Sequence, residues 1–142
     1  MVIQRWQTVL LFIAVICMGI FSVAPLACMS TQMGETASFM AYQEWGYFLL
    51  NIIITLLLLI SIFLFKQLNT QSTLVLVSMF LMIISVICGL WIYYDLVGQN
   101  PIEEVKLSFS GLLLIGAFVF SLLSLICIRK DRKLLQSYDR LR

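Results

Sequence analysis

The 142-residue sequence contains no histidine, and its Asp, Glu, Lys and Arg residues together make up only 11% of the chain. None of these charged residues lies in the central part of any of its four long apolar runs. Proton-coupled carriers and pumps use membrane-embedded ionisable groups to bind and release charge, so this absence argues against a four-helix multidrug exporter. No catalytic constellation is visible either, and we expect a protein that is not an enzyme and has no cofactor.

The chain also lacks a Cys-x-x-Cys pair, although it has four cysteines. A quinone-linked thiol oxidoreductase would need such a reactive dithiol, so this class is excluded as well. The acidic residues Asp95, Glu103 and Glu104 are interpreted as a solvated loop, because the full oxygen-ligand set of a divalent-cation site is not visible around them. The sequence therefore predicts no metal site.

What the sequence does contain is apolar residues, at 62% of the chain, gathered into four continuous runs. The runs are Trp6 to Met29, Trp45 to Phe65, Ser72 to Tyr94 and Leu107 to Ile128. A helix of about 20 residues, at about 1.5 Å per residue, crosses the roughly 30 Å hydrocarbon layer of a bilayer. Continuous runs favour helices over the alternating pattern of a membrane β-barrel. We predict an all-α integral membrane protein, a four-helix antiparallel bundle forming one membrane domain over residues 1–142, with a short cytoplasmic C-terminal helix in the tail 129–142.

The charges flanking the runs predict the topology. An N-terminus in the cytoplasm places eight of the nine basic residues on the cytoplasmic side: Arg5, Lys66, Arg129, Lys130, Arg132, Lys133, Arg140 and Arg142. With Asp131 and Asp139, that side carries +6, and the other side carries −4 from Lys106 against Glu35, Glu44, Asp95, Glu103 and Glu104. The positive-inside rule therefore predicts that both termini are cytoplasmic and that loops 30–44 and 95–106 are outside. Because membrane topology accounts for these basic residues, they do not indicate contact with nucleic acid.

Small and polar residues recur on one face of the third and fourth runs. The candidate helix-packing residues are Asn51, Ser78, Ser85, Gly89, Ala117, Ser121 and Ser124. Spacings of three, four and seven residues place each set on one helix face, where small side chains allow close backbone approach. We predict that the third and fourth helices pack through these stripes, and that Asn51 forms a hydrogen bond to a neighbouring helix rather than a ligand site.

The two ends of the chain are the candidate partner or lipid contacts. These residues are Gln4, Arg5, Arg129, Lys130, Arg132, Lys133, Leu134, Tyr138, Asp139, Arg140, Leu141 and Arg142. In the tail, Leu134, Leu135, Tyr138 and Leu141 fall at helical spacing and form an apolar stripe between basic residues. Such a helix can lie on anionic headgroups or dock on a protein partner.

The same two ends resemble a known family. The opening matches at Ile3, Gln4, Arg5 and Gln7, and the ending matches at Ile128, Arg129, Lys130, Asp131, Leu134, Ser137, Asp139, Arg140, Leu141 and Arg142. In layout and in these terminal motifs the chain resembles the small Bacteroidota membrane proteins called domain of unknown function 4293. It departs from their pattern at Trp6, at Arg132 and at Leu135 and Gln136. The resemblance implies a multi-pass protein of a Gram-negative inner membrane and implies no activity.

Without chemistry to assign, the sequence favours a structural role. We expect a small accessory or scaffolding subunit of a larger membrane complex, with protein-export, envelope-biogenesis or motility machinery as hosts. Its partners would be the lipid bilayer and other integral membrane proteins, and no small-molecule substrate is identifiable. The alternative is a transporter or channel for a neutral or lipidic solute, acting through Asn51, Thr55 and the serine stripes.

Overall fold

Four helices and a small sheet make up the fold. The computed structural model describes the backbone of residues 2–31, 36–40, 43–65, 67–99, 102–107 and 109–139, and the side chains of residues 6–25, 43–65, 67–95 and 109–134. The helices are α1 Val2–Val23, α2 Trp45–Phe63, α3 Leu68–Gln99 and α4 Ser110–Asp139. The strands are β1 Pro25–Thr31, β2 Thr36–Met40 and β3 Ile102–Leu107.

All four helices are long and apolar enough to cross a membrane. The spanning segments are Trp6–Val23, Trp45–Phe63, Leu68–Asp95 and Ser110–Leu134. Their outer faces carry many exposed large apolar side chains, such as Phe12, Leu56, Phe80 and Ile115. In lipid these side chains are in a favourable solvent, and only the inward face of each helix has to be matched to its neighbours. The predicted four-helix membrane bundle is confirmed.

The inward faces follow a heptad spacing in every helix, with steps that alternate between four and three residues. The buried positions with this spacing on α1 and α2 are Gln7, Leu11, Ala14, Met18, Phe21 and Tyr47, Asn51, Ile54, Leu58, Ser61. Those on α3 and α4 are Gln71, Val75, Ser78, Met82, Ser85 and Ser110, Leu114, Ala117, Ser121, Ser124, Ile128. Ser22 and Leu125 are buried as well, each next to a position of the row. A mean spacing of about 3.5 residues is the pattern of left-handed supercoiled packing, with helices inclined by about 20°.

Each helix lies beside its neighbours in sequence, and α1 and α4 close the ring with the most extensive contact. Adjacent helices are antiparallel. The Phe21 and Tyr47 rings meet edge to face at 6.5 Å between centroids, which joins the end of α1 to the start of α2. The Ser124 hydroxyl lies 3.4 Å from the Gln7 carbonyl oxygen, which sets the register between α4 and α1. We call the end of the bundle where α1 starts the terminal end, and the opposite end the sheet end.

The first helix is shorter than predicted. Its helix ends at Val23, whereas the apolar run was extended to Met29, and β1 begins at Pro25. Proline restricts the residue before it to extended conformations, so the helix stops there as the position of Pro25 indicated. The second helix ends two residues before the predicted boundary at Phe65.

The other two helices are longer than their apolar runs. Helix α3 covers Leu68–Gln99 rather than 72–94, so residues 95–99 of the predicted loop are helical. Helix α4 covers Ser110–Asp139 rather than 107–128, and the tail continues it instead of forming a separate helix. Backbone hydrogen bonds propagate a helix beyond the membrane when the flanking residues permit it, and hydropathy alone does not mark that end.

The main departure from the prediction is the sheet. Segments 30–44 and 95–106 were treated as loops, but they contribute strands to a three-stranded antiparallel sheet of order β2-β1-β3. In the middle of β1, Cys28 is opposite Ser38 of β2 and Lys106 of β3. Strands β1 and β3 are far apart in sequence, and they meet because the bundle brings the end of α1 next to the start of α4.

Two helices extend beyond their neighbours. From the Gln7–Ser124 register, Arg129 lies level with Val2, so residues 130–139 of α4 pass the start of α1 by about 15 Å. At the sheet end, the Asn51–Ser85 hydrogen bond places Trp91 level with Trp45, and residues 92–99 of α3 extend about 12 Å beyond α2. The molecule therefore has a projecting helix at each end, in addition to the sheet.

Candidate functional site

At the terminal end, α1 and α4 are joined by a polar contact. The Gln7 side-chain amide, which is buried, donates a hydrogen bond from Nε2 to Asp131 Oδ2. Ser124 Oγ donates to the backbone oxygen of the same Gln7. The side chain of Arg5, which precedes Gln7 by two residues, lies outside the described residues. The described partner of the Asp131 carboxylate is Gln7, which anchors the first turn of the α4 extension to α1.

The predicted contact residues of the tail lie on this extension. Arg129, Lys130, Arg132, Lys133 and Leu134 are all exposed. Gln4, Arg5, Tyr138 and Asp139 are in helical backbone, and Arg140, Leu141 and Arg142 lie outside the described residues. The structure therefore places a cluster of exposed basic side chains at the terminal end of the candidate span Ser110–Leu134.

The heptad positions of α4 continue into the extension. The next positions after Ile128 are Asp131, Leu135 and Tyr138, on the face that the bundle buries further up the helix. By the Gln7–Ser124 register, Leu135 lies beyond Val2, the first described residue of α1. The row of heptad positions through which α4 packs into the bundle, which we call the α4 seam, therefore continues beyond the described start of α1.

Near the sheet end, α2 and α3 share a buried hydrogen-bond network. Ser85 Oγ donates to Asn51 Oδ1 at 2.9 Å, and Asn51 Nδ2 donates to the Tyr47 carbonyl oxygen at 3.0 Å. Thr55 Oγ1 donates to the Asn51 carbonyl oxygen at 2.8 Å, and the Tyr47 hydroxyl oxygen lies 3.5 Å from Ser85 Oγ. Because Asn51 and Ser85 are fully buried, this network joins two helices and leaves no polar group of Asn51 directed at an open cavity.

The small-residue stripes lie at different interfaces from those predicted. Ser85 and Gly89 of α3 face α2, through Asn51 and Tyr47, and Ser124 of α4 faces α1. These contacts do not support the predicted seam between the third and fourth helices at Ser85, Gly89 and Ser124, and that seam stays a prediction. The most extensive helix contact is between α1 and α4, where the register aligns two fully buried alanines, Ala14 and Ala117. Ser78 and Ser121 are also fully buried, and Ser110 at the other end of α4 is buried as well.

Some buried polar atoms have no hydrogen-bond partner among the described residues. These atoms are Ser61 Oγ, Gln71 Oε1, Ser110 Oγ and Ser121 Oγ. A buried hydroxyl without a partner contributes nothing to stability through hydrogen bonding and carries a desolvation cost. The value of Ser121 to the bundle is therefore its small volume.

An apolar groove of about 280 Å³ lies between α3 and α4. Its lining residues are Met82, Ile83, Val86, Leu114, Ile115 and Phe118. Ile83 and Ile115 are exposed on the outer face of the bundle, so the groove opens toward lipid. Its lining suits hydrocarbon rather than a polar solute.

Sequence reasoning missed part of these sites. Gln7, Tyr47, Ser61 and Gln71 take heptad positions with the residues that were singled out, and the alternating spacing of four and three was the available signal. The Tyr47 ring is buried against Phe21 and Gly89, although the residue lies near the start of its apolar run.

Gly89→Ala is expected to lower bundle stability, whereas Gly116→Ala is expected to leave it unchanged or raise it slightly. A Cβ at Gly89 would lie 3.0 Å from the Tyr47 hydroxyl oxygen, and the ring would have to move out of the Asn51 network. A Cβ at Gly116 meets nothing within 4 Å, so alanine there only restricts the unfolded chain. Thermal unfolding in detergent of the two variants measures the difference, and equal loss of stability in both would contradict the close contact at Gly89.

Comparison with known proteins places the chain by family. No curated protein matches it. A family model described as Domain of unknown function matches residues 3–141, nearly the whole length of the chain, and so includes the four helices, the sheet and the terminal contact residues up to Leu141. The chain belongs to this family, Domain of unknown function (DUF4293).

Proposed function

We propose that this membrane protein is a non-catalytic accessory or scaffolding subunit of a larger membrane complex. The observation that supports it best is the projection of α4 about 15 Å beyond the start of α1. Inside the bundle, the heptad positions of α4 are buried against neighbouring helices. The same heptad positions continue along the projecting backbone at Leu135 and Tyr138, and we propose that a helix of another protein packs there.

Binding to lipid headgroups would explain the basic residues of the α4 projection, but not its more distal apolar positions. Arg129, Lys130, Arg132 and Lys133 are exposed in the last turns of the candidate span Ser110–Leu134, where they can contact anionic headgroups. The positions Leu135 and Tyr138 lie one to two turns further along the helix. A topology signal does not require an apolar seam at that distance, whereas a docking helix does.

The orientation that we propose has both termini in the cytoplasm of a bacterial inner membrane. The terminal end then carries +6 and the sheet end −4, in agreement with the positive-inside rule. The sheet, the end of α3 and the start of α2 would be periplasmic. The α4 projection would reach cytoplasmic segments of a partner, for which we propose protein-export, envelope-biogenesis or motility machinery.

Single-cysteine labelling tests this orientation. In a cysteine-free background, Glu44→Cys and Thr70→Cys are suitable reporters, because both positions are exposed and they lie at opposite ends of the bundle. A membrane-impermeant maleimide added to intact cells is expected to modify Glu44→Cys and to leave Thr70→Cys unmodified until the membrane is permeabilised. The reverse pattern would invert the proposed topology.

Transport of a neutral or lipidic solute is the competing proposal. The apolar groove between α3 and α4 favours it for a lipidic solute, since the groove opens toward the bilayer. A polar solute has less support, because the side chain of Asn51 is engaged by Tyr47 and Ser85. Isolation of the tagged chain in mild detergent separates the proposals: a larger membrane protein in fixed stoichiometry supports the subunit, and a self-contained particle that transfers lipid between vesicles supports transport.

A further inference from the structure

The basic cluster of α4 divides between two sides of the helix. The direction of Ile126, which is 43% exposed, marks the outer side. At about 100° per residue, Arg129, Lys130 and Lys133 all fall within about 60° of that direction, whereas Arg132 falls about 120° from it. Three of the four exposed cations therefore lie on the outer side of α4, and we call Arg129, Lys130 and Lys133 the outward basic triad.

The outward basic triad ends a longer exposed stripe. Val119, Leu122 and Ile126 are exposed on the same side of α4, within the candidate span Ser110–Leu134. Lys130 follows Ile126 by one turn, about 6 Å along the helix, and Lys133 follows it by about 10 Å. The stripe is thus apolar inside the bilayer and cationic at its boundary. A phospholipid has its acyl chains and its phosphate in the same order.

The positive charge of the triad is not offset on its own side of the helix by Asp131, the acidic residue within this segment. The Asp131 carboxylate accepts a hydrogen bond from the Gln7 amide of α1. Its position falls about 140° from Ile126, on the side of the α4 seam. The three side chains of the triad are all exposed, so their charges are available to a ligand that approaches from the bilayer.

We propose that the outward basic triad binds the headgroup phosphate of an anionic phospholipid in the leaflet at the terminal end. An acyl chain of this lipid lies along Val119, Leu122 and Ile126. The long stems of lysine and arginine extend over apolar surface while their charged ends stay at the headgroup level. Each cation near an anionic leaflet adds to the attraction, and the triad places three of them within about one turn of helix.

The depth of the triad favours lipid over an acidic protein segment. Lys133 is one residue before the end of the candidate span at Leu134, so the triad lies at the boundary between hydrocarbon and headgroups. Phospholipid phosphates are already present at this depth. An acidic segment of a protein would have to bring its carboxylates to the edge of the hydrocarbon, which carries a desolvation cost.

This lipid site does not depend on the proposed accessory function. The α4 seam positions Leu135 and Tyr138 fall about 120–180° from Ile126, so they lie on the other side of the helix from the triad. A protein partner on the seam and a lipid on the triad can therefore bind at the same time. The two proposals can fail separately.

Native mass spectrometry of the purified full chain with added lipid tests the site. The chain in detergent is titrated with phosphatidylglycerol and, separately, with phosphatidylcholine that has the same acyl chains. The ratio of lipid-bound to free chain is expected to be at least about tenfold higher for phosphatidylglycerol, because only this lipid has a net negative charge. Lys133→Gln should lower the phosphatidylglycerol ratio about fivefold. Arg132→Gln removes the same charge from the other side of the helix and should change the ratio less than about twofold.

A charge-relocated variant separates a local site from the net charge of the terminal end. It combines Lys130→Gln and Lys133→Gln with Asn69→Lys and Thr70→Lys, which are exposed positions in the first turn of α3 at the same end. The positive-inside signal is retained, so the chain should insert normally. Its preference for phosphatidylglycerol should still be lost, while its unfolding temperature without added lipid should be close to that of the original chain.

Four results would overturn the inference. Equal binding of the two lipids by the original chain would mean that there is no anionic-lipid site, and loss of a co-purifying protein in Lys133→Gln would then assign the triad to an acidic partner. Full preference in the charge-relocated variant would mean that only net charge matters. Equal losses in Lys133→Gln and Arg132→Gln would show that the outer side of α4 is not selected. Displacement of phosphatidylglycerol by inorganic phosphate at equal concentration would identify a phosphate site to which the apolar stripe contributes nothing.

Discussion

Ser121→Leu is expected to destabilise the bundle by about 1–3 kcal/mol, the usual range for overpacking a well-packed core. Ser121 is fully buried on the inward face of α4, one turn from the place where Ser124 contacts the backbone of α1. A leucine there would overfill the buried inward face and push α4 away from its neighbours. The measurement is the midpoint of thermal unfolding in detergent.

Two matched variants separate volume from chemistry. Ser121→Ala should be neutral or slightly stabilising, because the Ser121 hydroxyl has no hydrogen-bond partner among the described residues. Leu122→Phe, at the adjacent exposed position, should also be neutral, because the added volume enters lipid. If Ser121→Leu and Leu122→Phe are tolerated equally, Ser121 does not lie at a close helix contact.

Truncation after Leu134 is expected to abolish co-purification with the partner while leaving the bundle intact. This truncation removes Leu135 and Tyr138, the projecting seam positions, and keeps the four basic residues and Asp131. The positive-inside signal and the Gln7–Asp131 hydrogen bond are therefore retained. Orientation and unfolding temperature should match those of the full chain, so that loss of the partner is assigned to the seam.

A truncation after Ile128 provides the contrast. It also removes Asp131 and the basic residues, so the Gln7 amide loses its described partner and stability should fall. Leu135→Ala with Tyr138→Ala in the full chain should reproduce the loss of the partner without any change in length. If all three chains retain every association, the tail is a charge anchor and the docking role of α4 is wrong.

The bundle was predictable because membrane solvation dominates its sequence. Long apolar runs such as Trp45–Phe63 have to be helical in lipid, so their number and positions follow from hydropathy. Helix ends were less predictable. Residues 129–139 of α4 are polar enough to lie outside the membrane, and hydropathy cannot distinguish a projecting helix from a loop there.

The sheet was not predictable by the same means. Cys28 pairs with both Ser38 and Lys106, and the second partner is separated from it by two membrane helices in the sequence. Such pairing depends on tertiary proximity, which local composition does not encode. The alternation of Val105, Lys106 and Leu107 is a strand pattern, but it is too short to outweigh a loop assignment on its own.

Packing partners were intermediate in predictability. Helical spacing correctly places Ser85, Gly89 and Ser124 on the inward faces of their helices, yet spacing does not say which of two neighbouring helices each one meets. That choice depends on the rotation of each helix in the ring. Asn51 was more informative, because a buried amide needs a partner and Ser85 is one that the heptad seam of α3 can present to it.

The most direct test of the accessory-subunit proposal is the mass of the particle that contains this chain. The tagged 16.2 kDa chain should be extracted in mild detergent from native membranes and, in parallel, from a host that has no related complex, and both samples measured by native mass spectrometry. The account predicts that the native sample contains the chain in fixed stoichiometry with a larger membrane protein, and that the foreign host yields the chain without it. Particles of the same mass from both sources, composed of this chain alone, would contradict the account.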